Sequence, residues 1–332
     1  MPRPQPASWD AQLRKWPGAN LLQSWGWAEV QARAGWRVYR LQVPTAAGPL
    51  PVSAQVGDTV LPGLSRIYVP RGPVSPPDDL VAFGLVLEQL LALGRRTGAR
   101  LLEIEVPWAA AELPPDHPWL AWSPAEPRQP RATLTVDLAP EPDAILASFH
   151  PKCRYNVRLA QRRGVLVDGA AGLAELAACV RATELRQRIH LPSQSHLAVV
   201  LEQLGEQARV FAARVGDTVV AAILVAIFGD QAIYLYGGAT GRHRELMPNH
   251  LLHWQAMLWA RGRGCRGYDL WGIPETDDPR HPWHGLAQFK RGFGGVEAHY
   301  AGARSKRLRL GGGVLLTLAD AARRRARTRG RA

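Results

Sequence analysis

One stretch, residues 234–295, constrains the fold of this chain more than any other. Tyr234-Leu-Tyr-Gly-Gly leaves a strand through paired glycines, and Pro248-Asn-His opens an amphipathic helix that runs to Arg261. Proline suits that first helical turn, where its missing N–H has no partner to lose. Gly267 to Trp271 then reads as a strand ending in Asp269-Leu-Trp-Gly. A short acidic loop follows, and then a basic turn, Phe289-Lys-Arg-Gly-Phe-Gly-Gly295, with Lys290 beside three glycines. Strand, loop, helix, strand, loop and turn in this order place the chain among mixed α/β folds.

The flanking sequence extends the pattern. Arg209–Val215 and Thr218–Phe228 read as a hairpin across Gly216-Asp217. Val219 to Phe228 is the longest clean apolar run, far too short for a membrane span and right for a buried strand. Before it come a strand at Thr133–Leu138, a short helix at Asp143–Phe149, a basic helix at Pro151–Gly164, and helices at Leu173–Gln187 and Ser193–Leu204. Glu297–Tyr300 adds a strand. The first half offers a helix from Leu21 to Val30 and a strand from Trp36 to Val43. Strands at Val52–Leu61 and Ser65–Val69 follow, with Gly57-Asp58 as a hairpin turn. Asp78–Thr97 is a helix stopped by Gly98, and Ala99–Val106 a strand. Pro107–Pro130 reads as a loop. After Ala303 a basic helix is expected, ending in the six arginines of residues 323–332.

Both halves thus run helix, antiparallel strands, helix, strand, an order that resembles the GNAT acyltransferase fold used twice. The fold class expected is α/β (α+β): two GNAT-like domains, mixed sheets flanked by helices, and no coiled-coil arm. The boundaries expected are 1–130 plus 302–332 for the first domain and 131–301 for the second.

Charge narrows the partners. Lys and Arg number 41 against 28 Asp and Glu, a net charge of +13, which favours polyanions: nucleic acid, anionic lipid head groups or phosphorylated substrates. His150–Val165 carries Lys152, Arg154, Arg158, Arg162 and Arg163 with no acid. Cys153, Cys179 and Cys265 are scattered without CxxC spacing, which argues against a disulfide framework and a zinc site. With no apolar core in MPRPQPASWD, no secretory signal is apparent. A cytoplasmic location, no metal and no cofactor are expected.

Strand, loop, helix, strand and basic turn commonly assemble an acyl-transfer cleft. Lys290 is placed to stabilise a developing oxyanion or grip a phosphate, or to be an ordinary solvated lysine. Asp269, at a strand end beside Trp271, is a candidate base, or else a cap. Glu105 ends the comparable strand of the first half, with Glu103 on the same side. The free N–H groups at the start of the Pro248 helix, with Asn249 and His250, suit an anion or carbonyl. Arg186 and Arg188 suit a diphosphate, which a guanidinium binds bidentately. Lys152, Arg158 and Arg162 suit phosphates, and Tyr234 and Tyr236 alternate with Leu235 along a strand, one face core and the other towards a cleft. An acetyl-CoA binder would carry R/Q-x-x-G-x-G/A before the helix. This chain has His243-Arg-Glu-Leu-Met-Pro-Asn, and Leu246 and Met247 would crowd a pyrophosphate.

Taken in order, several segments resemble the Fem family of non-ribosomal peptidyltransferases. They are Leu22-Gln-Ser-x-x-Trp27 with Gly35-Trp36, His150-Pro-Lys-x-Arg-Tyr-Asn-x-Arg-x-Ala160, Thr183-x-x-Arg186, Tyr236-Gly-Gly, Leu246-Met-Pro-Asn-His-Leu-Leu, Tyr268-Asp-Leu-Trp-Gly-Ile-Pro274 and Phe289-Lys-Arg-Gly-Phe-Gly-Gly295. Where the family often has a lysine in its first helix, this chain has Gln31. The resemblance implies aminoacyl-tRNA-dependent transfer of glycine, alanine or serine to the side-chain amine of the stem peptide of a peptidoglycan precursor, either UDP-muramyl-pentapeptide or lipid II. It implies Lys290, Asp269 and Glu105 as catalytic residues. As substrate-binding residues it implies Arg186, Arg188, Tyr236, Lys152, Arg154, Asn249, His250, Trp271 and Phe289. Residues 185–205 leave room for one short helix, which resembles the compact, arm-less type. Partners would be aminoacyl-tRNA, the muropeptide precursor and peripherally the inner membrane surface. The rivals are an acyl-CoA-dependent GNAT N-acyltransferase and a non-enzymatic RNA- or membrane-binding protein.

Overall fold

In each of two sheets, one pair of described strands runs parallel, and a helix makes the crossover. The computed structural model describes residues 5–58 and 65–308. Its contacts divide the chain into two units: the residues up to Gln129 together with those from Tyr300 onward, and Pro130–His299.

The first unit contains α1 (Pro6–Leu13), α2 (Trp25–Arg33), β1 (Arg37–Thr45), β2 (Gly48–Asp58), β3 (Ser65–Val69), α3 (Leu80–Thr97), β4 (Leu101–Glu105) and β5 (Ser123–Ala125), with β13 (Ala303–Arg307) from the far end of the chain. Its sheet has the order β1-β2-β3-β4-β13-β5, with β3 and β4 parallel. The α3 crossover has clear local causes. The Asp79 side chain accepts the Ala82 N–H at its start, and Gly98 ends it at φ 73°. Phe83, Val86, Leu90 and Leu93 recur at helical spacing and are buried.

The second unit contains β6 (Ala132–Asp137), α4 (Pro142–Ser148), α5 (Pro151–Arg162), β7 (Leu166–Asp168), α6 (Leu173–Gln187), α7 (Gln194–Leu204), β8 (Ala208–Val215), β9 (Thr218–Phe228), β10 (Gln231–Ala239), α8 (Pro248–Gly262), β11 (Gly267–Ile273), α9 (His284–Arg291) and β12 (Val296–His299). The sheet order is β12-β6-β11-β10-β9-β8-β7, with β10 and β11 parallel. From Val220 to Ala226 every residue of β9 is buried, as a strand covered on both faces requires. Phe149, Leu252, Met257, Tyr268 and Phe293 fill the core on the α8 side. α6 and α7, of 15 and 11 residues, are joined by a short connection, so no long arm is built there. The mixed α/β architecture expected from the sequence is the one found.

Several local expectations are corrected. The Leu21–Val30 helix is a 3₁₀ turn, Leu21–Gln23, and then α2, because Ser24 turns extended and accepts the Trp27 N–H as a cap. Gly57-Asp58 is no hairpin turn: both residues pair with β3, and the turn lies between Thr45 and Gly48. Lys290 is not in a turn but on α9, a helix of eight residues, too short for its period to stand out. Ala303–Arg307 is a strand rather than a helix, since β4 and β5 both need an antiparallel partner there. Its cations are seated on aromatic rings, Arg304 5.3 Å from the Trp119 centroid and Lys306 5.5 Å from that of Trp122. The expected arginine tail at 323–332 lies outside the described residues. α1, β5 and β7 carried no signal that singled them out.

Gly238 tests how closely α6 lies on β10. A Cβ there would overlap the Cys179 backbone carbonyl. Gly238→Ala should cost about 3 kcal/mol in urea unfolding, at the upper end for overpacking a core. A loss under about 0.5 kcal/mol would show that the helix can move away.

Candidate functional site

The parallel pairing of β10 with β11 covers three residue pairs, ending at Ile233 and Asp269. Beyond that point the strands keep only their outer neighbours, β9 and β6, and each is bulged, β10 between Tyr234 and Tyr236 and β11 between Asp269 and Gly272. Such a splay leaves backbone groups in need of partners. One is provided by Lys290. Its Nζ donates to the Gly272 carbonyl at 2.7 Å and lies 5.7 Å from the centroid of the Tyr234 ring. The side chain is only 4 % exposed. Burial lowers its pKa from 10.5 to about 8, against the opposing pull of the Asp269 carboxylate.

Asp269 has a visible structural duty as well. Its Oδ1 accepts the Trp271 N–H at 2.7 Å across the bulge, where Trp271 takes the left-handed conformation at φ 64°. The glycines after Lys290 are conformational. Gly295 sits at φ 94°, and a Cβ there would overlap the Thr135 carbonyl of β6, so only glycine lets the chain turn from α9 into β12.

Around the lysine lies an aromatic cluster. His253 of α8 packs against Tyr234, Tyr268, Phe289 and Phe293, with ring centroids 4.7–6.1 Å away. Its Nδ1 is 3.1 Å from the Tyr268 hydroxyl. Burial, and then the nearby Lys290 charge, push its pKa down to about 3. One turn earlier His250 is lowered to about 4, chiefly by burial, with the Lys152 charge adding to it. His250 Nε2 lies 3.2 Å from the Asn156 amide of α5, which donates to it. Nδ1 then carries the proton, buried and turned towards the Met247 backbone.

A cavity of about 550 Å³ opens at the start of α8, lined among others by Ala239, Gly241, Met247, Asn249, His250 and Phe289. Before the helix, Arg244–Leu246 forms a 3₁₀ turn and Met247 is left-handed. The Met247 side chain lines the cavity where a CoA pyrophosphate would need bare backbone.

The candidates named from the sequence divide by this geometry. Asn249, His250 and Phe289 line the cavity, whereas Lys290, the next residue of α9, is buried against Tyr234 and is not part of the lining. Arg186 borders it: its guanidinium donates to the Ala239 carbonyl at 2.7 Å and packs over Gly241. Arg188 is an exposed left-handed residue at the end of α6. Tyr236 is on the other face of the sheet from Tyr234, because the bulge between them breaks the alternation. Its hydroxyl meets His196 Nε2 of α7 at 3.1 Å. Arg154 is turned onto the Ala147 and Phe149 carbonyls at the end of α4. Lys152 is exposed on α5.

Glu105 belongs to the first unit. Buried there, it accepts from the Tyr68 hydroxyl at 2.6 Å and from the Arg128 and Gln129 backbone N–H groups. Desolvation still raises its pKa. Glu103 beside it pairs with Arg66 at 2.6 Å. Asn156 and His253 escaped sequence reasoning. The signal was the three-residue spacing of His250 and His253, which puts both on one face of α8.

The depressed Lys290 pKa has a measurable consequence. Between pH 8 and 10.5 the unfolded chain holds a proton that the folded chain has released, so stability rises with pH there. At about 1.4 kcal/mol per unit, wild type should gain up to about 3 kcal/mol over Lys290→Met across that window in urea melts. A constant difference would mean that the ammonium is hydrated.

The FemAB family profile matches residues 193–308. The lipid II:glycine glycyltransferases of Staphylococcus saprophyticus and Staphylococcus haemolyticus are each 22% identical to the chain, over 86% of it and 87% of their own length. Among solved structures, the crystal structure of FemX superposes with a TM-score of 0.84 at 18% identity, covering 96% of this chain and 98% of that one. The structure of L-PGS from Bacillus licheniformis superposes at 0.56 with 14% identity, over 95% and 96%.

Proposed function

We propose that this chain, which belongs to the FemAB family, transfers an amino acid from aminoacyl-tRNA to the side-chain amine of the stem peptide of a peptidoglycan precursor. The observation that carries the reading is the buried Lys290 ammonium, fixed by Gly272 at the mouth of the β10–β11 splay. Glycine is the favoured amino acid and lipid II the favoured acceptor, because the relatives matched over most of their length are named lipid II:glycine glycyltransferases. Alanine, serine and the UDP-linked precursor are the alternatives to test beside them.

In the proposed step the stem-peptide amine attacks the ester carbonyl that joins the amino acid to the tRNA ribose. The N–C bond forms, the C–O bond breaks, and the amine's proton ends on the ribose hydroxyl. The ester is already activated, so the protein has mainly to position the two substrates and stabilise the oxyanion. A cation held in a poorly hydrated site acts strongly on such a charge. Lys290 fills this role, with the α8 N-terminus, Asn249 and His250 lining the approach and Arg186 at its border. Asp269 is the candidate proton acceptor closest in the fold to Lys290. Glu105, whose oxygens already accept three donors, serves the packing of its own unit. The substrates place the reaction at the cytoplasmic face of the inner membrane, with peripheral contact. No described helix is long and apolar enough to cross a membrane.

The test is a transfer assay with labelled glycyl-, alanyl- and seryl-tRNA and either lipid II or UDP-muramyl-pentapeptide carrying a lysine-type stem. Label should pass from glycyl-tRNA to lipid II, and Lys290→Met should lower the rate by about 10²–10³, the cost of losing one oxyanion partner. Acyl transfer from a CoA thioester, with none from any charged tRNA, would overturn the reading in favour of a CoA-dependent acyltransferase.

A further inference from the structure

Helix α5 has two faces with different duties. Its inner face is buried through Cys153, Asn156, Val157 and Ala160, and Asn156 holds His250 at the cavity. On the outer face Lys152, Tyr155, Arg158 and Arg162 follow one another at spacings of three, three and four residues, which aligns them along one side of a helix. All four are exposed, Tyr155 to 56%. The line covers about 15 Å at 1.5 Å per residue, and Arg163 extends it.

These cations differ from several others in their unit. Arg181, Arg214, Arg261, Arg280 and Arg291 each pair with a carboxylate. Among the described residues no carboxylate pairs with Lys152, Arg158, Arg162 or Arg163. A row of like charges at helical spacing costs stability, so a polyanion that neutralised it would gain what the fold forgoes. The exposed Tyr155 stands within the row, with the Arg162 guanidinium 5.8 Å from its ring. An aromatic platform interleaved with cations suits a single strand, whose bases stack while its phosphates pair. A membrane surface would call for exposed Leu, Phe or Trp as well, and this face offers only the half-buried Leu159.

We propose that the outer face of α5 is the docking strip for the single-stranded acceptor end of the donor RNA, with Arg158 and Arg162 on phosphates and Tyr155 stacked on a base. The inference rests on the proposed use of aminoacyl-tRNA and names the surface that receives it. The strip ends at the cavity: Lys152 is near enough to His250 for its charge to act on that imidazole. An RNA end lying along α5 is therefore led towards the start of α8.

The test measures binding by fluorescence anisotropy, separately from turnover. The probes are an acceptor-stem minihelix with its unpaired 3′ end and the same duplex made blunt. In the double variant Arg158→Gln/Arg162→Gln the minihelix Kd should rise on the order of tenfold or more, and the slope of log K against log salt should fall by about 1.5–2, as two lost phosphate contacts require. Tyr155→Ala should weaken the overhanging minihelix about tenfold and leave the blunt duplex unaffected. Both variants should melt like wild type and keep their affinity for the muropeptide acceptor. Wild-type binding with an unchanged double variant would overturn the strip alone and leave the proposed reaction standing. The same result with lost binding to phosphatidylglycerol vesicles would assign the face to lipid instead. A minihelix that wild type does not bind would overturn strip and reaction together.

Discussion

The hydrogen bond from the Lys290 ammonium to the Gly272 carbonyl organises the second unit, because it closes a sheet that has been opened. Two parallel strands that stop pairing after three residues leave carbonyl and N–H groups facing no strand. A buried carbonyl without a donor and a buried ammonium without an acceptor would each be costly. Together they satisfy each other, and the ammonium is left with donors to spare beside the Tyr234 ring. The bulges that produce the splay are themselves held, β11's by the Asp269 side chain on the Trp271 N–H. The short α9 exists to deliver the lysine, and Gly295 exists to take the chain away again to β12. What looks in sequence like a glycine-rich phosphate turn is the return path of a helix.

The same bulges explain why two tyrosines only two positions apart do different work. The extra residue in β10 sends Tyr234 to the α8 side, against His253 and Lys290, and Tyr236 to the α7 side, against His196. On the α8 side the two histidines are kept neutral by burial, so the lysine faces no competing cation from its own cluster. Both tyrosines are raised to about 12 and remain phenols at neutral pH. The histidines and tyrosines of this cluster can therefore hydrogen-bond without adding charge, while Arg242, Arg244 and Glu245 line the cavity itself.

Much of this was legible in the sequence, and what was not has identifiable causes. α3, α6, α8 and β9 are long, strongly periodic or bounded by caps and glycines, and their limits can be read almost to the residue. α9 and β13 cannot, because short elements are set by tertiary partners rather than by propensity. The basic run at 303–307 looks helical until β4 is present to pair with it. Lys290 could be singled out as one cation among aromatic and glycine neighbours. Its burial could not, since that depends on the β11 bulge and the Gly272 carbonyl, 18 residues away along the chain. Arg154 misleads for a simpler reason: in sequence it is one more cation of a basic helix, and only the chain path shows its guanidinium turned back on α4. Asn156, on the same helix, was hidden among louder charges.

The two units close their strand ends in different ways. Each has a parallel pair joined by a helical crossover, and each therefore faces the same problem at the strand ends. In the first unit the carbonyl past the pair, that of Glu105, accepts the Gly72 backbone N–H at 2.9 Å, while the Glu105 carboxylate is taken up by Tyr68, Arg128 and Gln129. Backbone and fixed side chains close the Glu105 groups, with the Arg71 charge nearby. In the second unit the carbonyl is closed by an ammonium, a group that can hold one acceptor and still offer hydrogen bonds to another. The two strand ends thus differ in the partner of their carbonyl: an amide N–H, which has one bond to give, against a lysine, which has three.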